Sequence, residues 1–186
     1  MPIAPPPPLK SGLFGRGGAP RAPKATPTGA PPPKPPPGVL AEHRIGIHAP
    51  AEVIWEVISD LKSWPQWNKL YPEAAGQIRI GGTLELTLDL PGQKPQQIKP
   101  TVLEWVPNEQ LHWRLSIMGG MVRTTRFFEI ESLAGESCIV SNGELFAGLM
   151  GPSVAKRIGR SVYRAFAQMD EDLKARAELL WARRKA

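Results

Sequence analysis

The feature that most restricts what this chain can fold into lies near its end. Between Pro152 and Arg183 the apolar residues Val154, Ile158, Val162, Phe166, Met169, Leu173, Ala177 and Leu180 recur at steps of three and four, which is one stripe of an α-helix. Lys156, Arg157, Arg160, Arg164, Glu171, Lys174 and Glu178 fill the other faces. At 1.5 Å per residue the spacing predicts a helix reaching about 48 Å, longer than a small domain is wide. A single apolar stripe of that length needs a long surface to cover it.

The preceding residues offer one. Val39–Ile47 reads as a strand with Ala41, His43, Ile45 and Ile47 on one face. Pro50 and Glu52 suit the start of a helix, and Val53, Ile54, Val57, Ile58 and Leu61 give that helix an inward stripe. It is expected to break near Trp64-Pro65, because proline disfavours helix in the residue before it. The segment Trp64 to Asn68 then forms a turn or a short second helix. From Gln77 the period falls from 3.6 to 2. Thr83–Leu90 alternates cleanly, with Leu84, Leu86, Leu88 and Leu90 sharing a face. Ile98–Val106 is a less regular strand, in which Pro100 marks an edge or a bulge. Leu111–Ile117, Val122–Glu131 and Cys138–Phe146 complete a meander of about six strands, with a tight hairpin at Gly119-Gly120. Antiparallel strands with one apolar face can curl round a helix and leave their polar face in water.

Several spaced segments carry a resemblance: APAEVIWEVISDLKSWPQWN from Ala49, PTVLEWVPNEQLHW from Pro100, GELFAGLMGP from Gly143 and MDEDLKARAE from Met169. Over roughly residues 40–181 the chain resembles the START-like (SRPBCC) superfamily, and within it the polyketide cyclase/dehydrase and lipid-transport group. The resemblance implies an α+β helix-grip fold: a curved seven-stranded antiparallel sheet around a long C-terminal helix, with two short helices after the first strand. It implies a cavity between sheet and helix for a lipid, quinone or polyketide-like molecule. The family more often carries histidine where Arg126 stands.

The pattern places residues in that cavity. A two-residue turn at Gly119-Gly120 sets Ile117 opposite Val122, Leu115 opposite Thr124, Trp113 opposite Arg126 and Leu111 opposite Phe128. A five-residue loop from Leu133 to Ser137 sets Ile130 opposite Val140, Phe128 opposite Asn142 and Arg126 opposite Glu144. Trp113, Arg126 and Glu144 thus stand side by side on the inward face. Because an unpaired buried charge is costly, Arg126 and Glu144 are expected to pair, with the indole beside the guanidinium. With Asn142 they form either the polar end of an apolar pocket or a structural ion pair. Leu86, Leu88, Leu115, Phe128, Phe146, Val162 and Phe166 are the candidate apolar lining. Trp64 and Trp67 serve either as a lid over the mouth or as core anchors.

Chemistry is sparser. His43, His48 and His112 are too scattered for a metal set, no paired-cysteine spacing occurs, and no cofactor is expected. Cys138 reads as an inert buried thiol. The leading expectation is a binding or carrier protein for an apolar small molecule. The alternative is a cyclase, aromatase or dehydratase of polyketide-like substrates, in which Glu144 or His43 moves protons beside Arg126.

Residues 1–38 hold 14 of the 22 prolines, five Lys or Arg and no acidic residue, and read as a disordered basic tail ahead of a domain at 39–186. PxxP matches at Pro5–Pro8 and Pro33–Pro36 offer a weak docking motif for a protein partner. Beyond the tail, 18 basic residues face 17 acidic ones, which argues against a nucleic-acid-binding face. The basic side of the last helix (Lys156, Arg157, Arg160, Arg164) is either a solvated face or a contact for acidic lipid headgroups. A single cysteine, and no apolar run of spanning length, lead to the expectation of a cytoplasmic protein without a transmembrane segment.

Overall fold

The computed structural model describes residues 38–186, so the proline-rich stretch and its PxxP motifs lie outside the described residues. The elements follow as β1 (Val39–Ile47), α1 (Ala51–Ser59), a 3₁₀ turn (Leu61–Gln66), β2 (Glu73–Gly76), β3 (Leu84–Leu88), β4 (Gln96–Ile98), β5 (Thr101–Val106), β6 (Gln110–Ile117), β7 (Val122–Leu133), β8 (Ser137–Ala147) and α2 (Gly151–Lys185). The 35 residues of α2 span about 52 Å.

The strands form two antiparallel sheets, of order β1-β8-β7-β6-β5 and β2-β3-β4, where the resemblance implies a single sheet of seven. The division falls at Pro100. A proline has no N–H to give to a ladder, so the strand expected from Ile98 to Val106 becomes β4 and β5, one in each sheet. The sheets stay stitched there: Leu84 N–H donates to Pro100 O at 2.9 Å, Val102 N–H donates to Gly82 O at 2.8 Å, and Thr83 bridges Thr101. The larger sheet packs along α2 through β1, β8 and β7.

Register follows turn chemistry. Gly119 and Gly120 both take positive φ (63° and 90°), and Met121 N–H donates to Met118 O at 3.3 Å, closing the hairpin that sets Ile117 opposite Val122. The β7–β8 loop is tighter than a five-residue connection, because Leu133 and Ser137 already pair, but the register beyond it is the expected one. Gly143 has a different reason to be glycine: the ring of cross-strand Phe127 lies where its Cβ would project, 2.3 Å away.

The first helix ends earlier than its stripe suggests, at Ser59, with Asp60 leaving helical geometry (φ −82°, ψ 77°), and Pro65 falls inside the 3₁₀ turn. Trp64 is fully buried, and its indole N–H donates to Ile58 O at 3.0 Å. Its ring gathers Trp67, Tyr71 and Trp113 within 6.5 Å. Just beyond, the Asn68 side-chain oxygen accepts the backbone N–H groups of Leu70 (3.1 Å) and Tyr71 (3.2 Å). That turn aims Tyr71 into the interior. The core continues through Ile54, Ile58, Leu84, Leu111, Phe128 and Leu173.

Candidate functional site

The sheet lays residues out in rows across β1, β8, β7 and β6. One row reads Ala41, Glu144, Arg126, Trp113, and its neighbour His43, Asn142, Phe128, Leu111. A cavity of about 130 Å³ opens between these strands and the first half of α2. Its sheet side is built by Trp113, Leu115, Thr124, Arg126, Glu144 and Phe146, and Leu88 adds the wall from the smaller sheet. Val154, Ile158, Val162 and Phe166 close it from the helix, and Tyr71 and Leu70 from the turn after the first helix. Exposed Gln93, Gln96 and Ile117 mark its mouth. A more open groove of about 410 Å³ beside it, shared at Leu70, has Pro91, Ala165 and Met169 in its lining along with the charged Lys69, Asp89, Arg164 and Asp172.

Five of the expected lining residues are placed elsewhere. Trp64 and Trp67 anchor the core instead of covering the mouth, because the 3₁₀ turn packs both rings inward. Leu86 is buried one pleat repeat beyond Leu88, and Phe128 fills the space beneath Trp113 at 6.0 Å between ring centroids. Asn142 is fully buried and turned to the helix.

Arg126 is only 2% exposed, and its expected ion pair with Glu144 does not form. The guanidinium instead lies on the face of Phe166, 3.5 Å from the ring centroid, with Phe128 at 5.3 Å and Trp113 at 5.7 Å. An aromatic face in a desolvated site is worth about 2 kcal/mol to a cation, and a planar guanidinium suits it better than an ammonium. One Nη donates to Gly143 O at 3.0 Å, the other to Met169 Sδ at 3.6 Å, and Nε has no partner.

A second buried polar group was not expected. Asp170, on α2, is fully buried; one oxygen accepts from Asn142 Nδ2 at 2.6 Å and the other lies 2.7 Å from His43 Nδ1. His43 is thus tied to Asp170 and does not line the cavity. A sequence signal for Asp170 exists: it stands four residues after Phe166 and three before Leu173, on the buried stripe itself. Its acidic neighbours Glu171 and Asp172 disguise it as part of a solvated run.

Burial sets the protonation of these groups. It pushes the Glu144 carboxyl above its ordinary range, against the opposing effects of Arg126 and the Thr124 hydroxyl. The Tyr71 phenol is likewise raised by burial, with Arg126 pulling it down. Asp170 is raised to about 6, burial outweighing its bonds from His43 and Asn142 and the charge of Arg126. Cys138 is buried and its thiol raised by desolvation. Among the described residues no group of three or more His, Cys, Asp or Glu side chains is arranged to hold a metal ion, and no helix is long and apolar enough to cross a membrane.

A curved antiparallel sheet gripping one long C-terminal helix, with a cavity between them, defines an α+β protein of the START-like class. The chain belongs to the polyketide cyclase/dehydrase and lipid transport family, whose model matches residues 39–178. A START superfamily protein from Mycobacterium smegmatis superposes with a TM-score of 0.61 at 20% identity, over 76% of this chain and 98% of that one. Norcoclaurine synthase from Thalictrum flavum, solved with dopamine and hydroxybenzaldehyde, gives 0.57 at 17% identity over 76% and 86%. These likenesses are of fold. In sequence, oxopyrrolidines biosynthesis cluster protein O of Penicillium oxalicum is 26% identical over 123 residues, 50% of this chain and 61% of that protein's length.

Proposed function

We propose that the chain binds or carries a hydrophobic small molecule in the cavity between its sheet and the first half of α2. The observation that carries this reading is the combination of apolar walls with one unmatched polar end. Val154, Ile158, Val162, Leu115 and Phe146 offer no hydrogen bond to a guest. Arg126, Tyr71, Thr124 and Glu144 converge at one end, where a buried donor, Arg126 Nε, has no partner. Apolar surface with a few convergent polar groups is how small-molecule sites are built. The volume sets the guest's inner end: cavities near 150 Å³ admit a single aromatic ring, so about 130 Å³ suits one ring, and a longer molecule leaves through the mouth at Gln93, Gln96 and Ile117. Lipid, quinone and polyketide-like molecules differ in what would trail outside. Native mass spectrometry of protein purified from its own host tests the reading. A non-covalent adduct lost on denaturation is the expected result; bare protein that also fails to take up any apolar aromatic probe would sink it.

One observation favours an enzyme as the second reading: a desolvated carboxyl, Glu144, stands beside a phenol and a guanidinium at the same end of the cavity. A carboxylic acid held neutral there can give a proton to a carbonyl oxygen while Arg126 steadies the developing charge, as a cyclisation or dehydration requires. In that reading Tyr71 replaces His43 as the second proton-carrying group. Turnover of a polyketide mimic that is lost in Glu144→Gln while probe binding persists would establish it.

A further inference from the structure

Among the described residues, the inner end of the cavity holds a cation with no anion to match it. Arg126 forms no ion pair with any described carboxylate. Glu144 is its cross-strand neighbour but does not pair with it. Asp170 is near enough to feel its charge, yet both carboxylate oxygens are engaged, one by Asn142 at 2.6 Å and the other by His43 at 2.7 Å. The guanidinium is left with a carbonyl, a thioether, an aromatic face and the neighbouring Tyr71 phenol, none of which carries a charge to cancel its own. Its Nε–H is buried and has no hydrogen-bond partner among the described residues. A buried charge in this condition is costly, and a planar fork of donors fits a planar anionic oxygen group best.

Resting on the cavity-binding reading above, we infer that the buried end of the ligand is a single ring bearing an ionised oxygen group, a carboxylate or an acidic phenolate, which pairs with Arg126. The surrounding groups agree with this. Tyr71 and Thr124 carry hydroxyls able to donate to an oxygen, and burial, which raises the Glu144 carboxyl, lessens its repulsion of an anion. The ring lies among Phe166, Trp113 and Phe146, and about 130 Å³ leaves room for little more. A neutral carbonyl or amide would accept from Nε but would leave the charge uncancelled. Hydrogen bonds to charged groups contribute about twice what neutral ones do, so the ionised ligand should bind at least about tenfold tighter than its neutral isostere.

The test uses the full chain, one pair of one-ring probes and one dye. Calorimetric titration at neutral pH compares benzoate with benzamide, and Arg126→Met is measured alongside. Expected is a preference for benzoate of about tenfold or more, falling to about onefold in Arg126→Met while benzamide still binds. Equal affinities in the unaltered chain, or a preference that survives in Arg126→Met, overturn the inference and leave the cavity reading standing. Because that variant changes a buried residue, a second measurement needs no variant. The absorbance of bound 4-nitrophenol, at a pH where most of the free dye is neutral, should show the phenolate band; a bound dye that keeps the neutral spectrum overturns the inference. If none of the probes binds at millimolar concentration, the cavity reading falls and this one with it.

Discussion

The two halves of α2 carry the same apolar stripe and meet different interiors. From Met169 through Leu173 to Ala177 the inward residues are at most 1% exposed, in the part of α2 that packs against α1 and β1. Earlier along the same stripe, Val154 and Ile158 remain only half-buried, because what faces them is the cavity. Periodicity tells which side chains turn inward but says nothing of what stands opposite. Close packing makes the second half a structural anchor, and its absence makes the first half a wall.

The sharpest way to break that contrast is truncation. Leu173→Ala removes a fully buried side chain from a packed site and should cost about 4 kcal/mol. Ile158→Ala removes atoms that already border open space, so its cost should stay near the transfer value of the lost methylenes, about 1–2 kcal/mol. Urea unfolding followed by circular dichroism measures both. Equal losses would mean that the two halves are packed alike.

Asp170 supplies the next effect, at the junction of the halves. Its carboxyl titrates near 6 in the fold against 3.8 for an ordinary one, so the folded chain holds a proton that the unfolded chain releases. The contribution from this group is therefore complete below about pH 4, and stability falls as pH rises from there to about 6, by up to about 3 kcal/mol. Above 6 it is flat. Asp170→Asn keeps the shape and removes the titration, so its urea midpoint should lack this decline between pH 4 and 6. Profiles that stay parallel in that window would show that Asp170 is not the group responsible.

How much of this was legible depends on the kind of interaction. The row Trp113, Arg126, Glu144 could be read from the chain because glycines at Gly119-Gly120 fix the hairpin, and one known pair fixes every other pair in an antiparallel ladder. The division of the sheet was half legible: Pro100 announced a defect, but whether a strand bulges or splits depends on the neighbours it finds. The choice of Arg126 for the face of Phe166 over Glu144 was hidden, since it turns on how closely α2 approaches β7. Asp170 was hidden for another reason. Spacing places it inward, charge suggests outward, and only a partner on β1 and another on β8 make the inward position affordable.

The smallest expected effect on stability is also the one that bears most directly on function. Ile158→Phe adds a ring edge to a wall of the cavity. In a close-packed core such an enlargement costs about 1–3 kcal/mol, because neighbours must leave their rotamers. Here about 130 Å³ of space can take the added atoms, so the folding free energy should change by less than about 1 kcal/mol while binding of a one-ring probe is lost. Ala177→Phe, in the packed half and fully buried, is the control: it should cost the full overpacking penalty and leave the site untouched. Should Ile158→Phe prove as destabilising as Ala177→Phe, no usable space exists beside Ile158. Should it fold normally and still bind the probe as before, the ring must enter elsewhere, and the open groove beside Leu70 and Arg164 becomes the place to look.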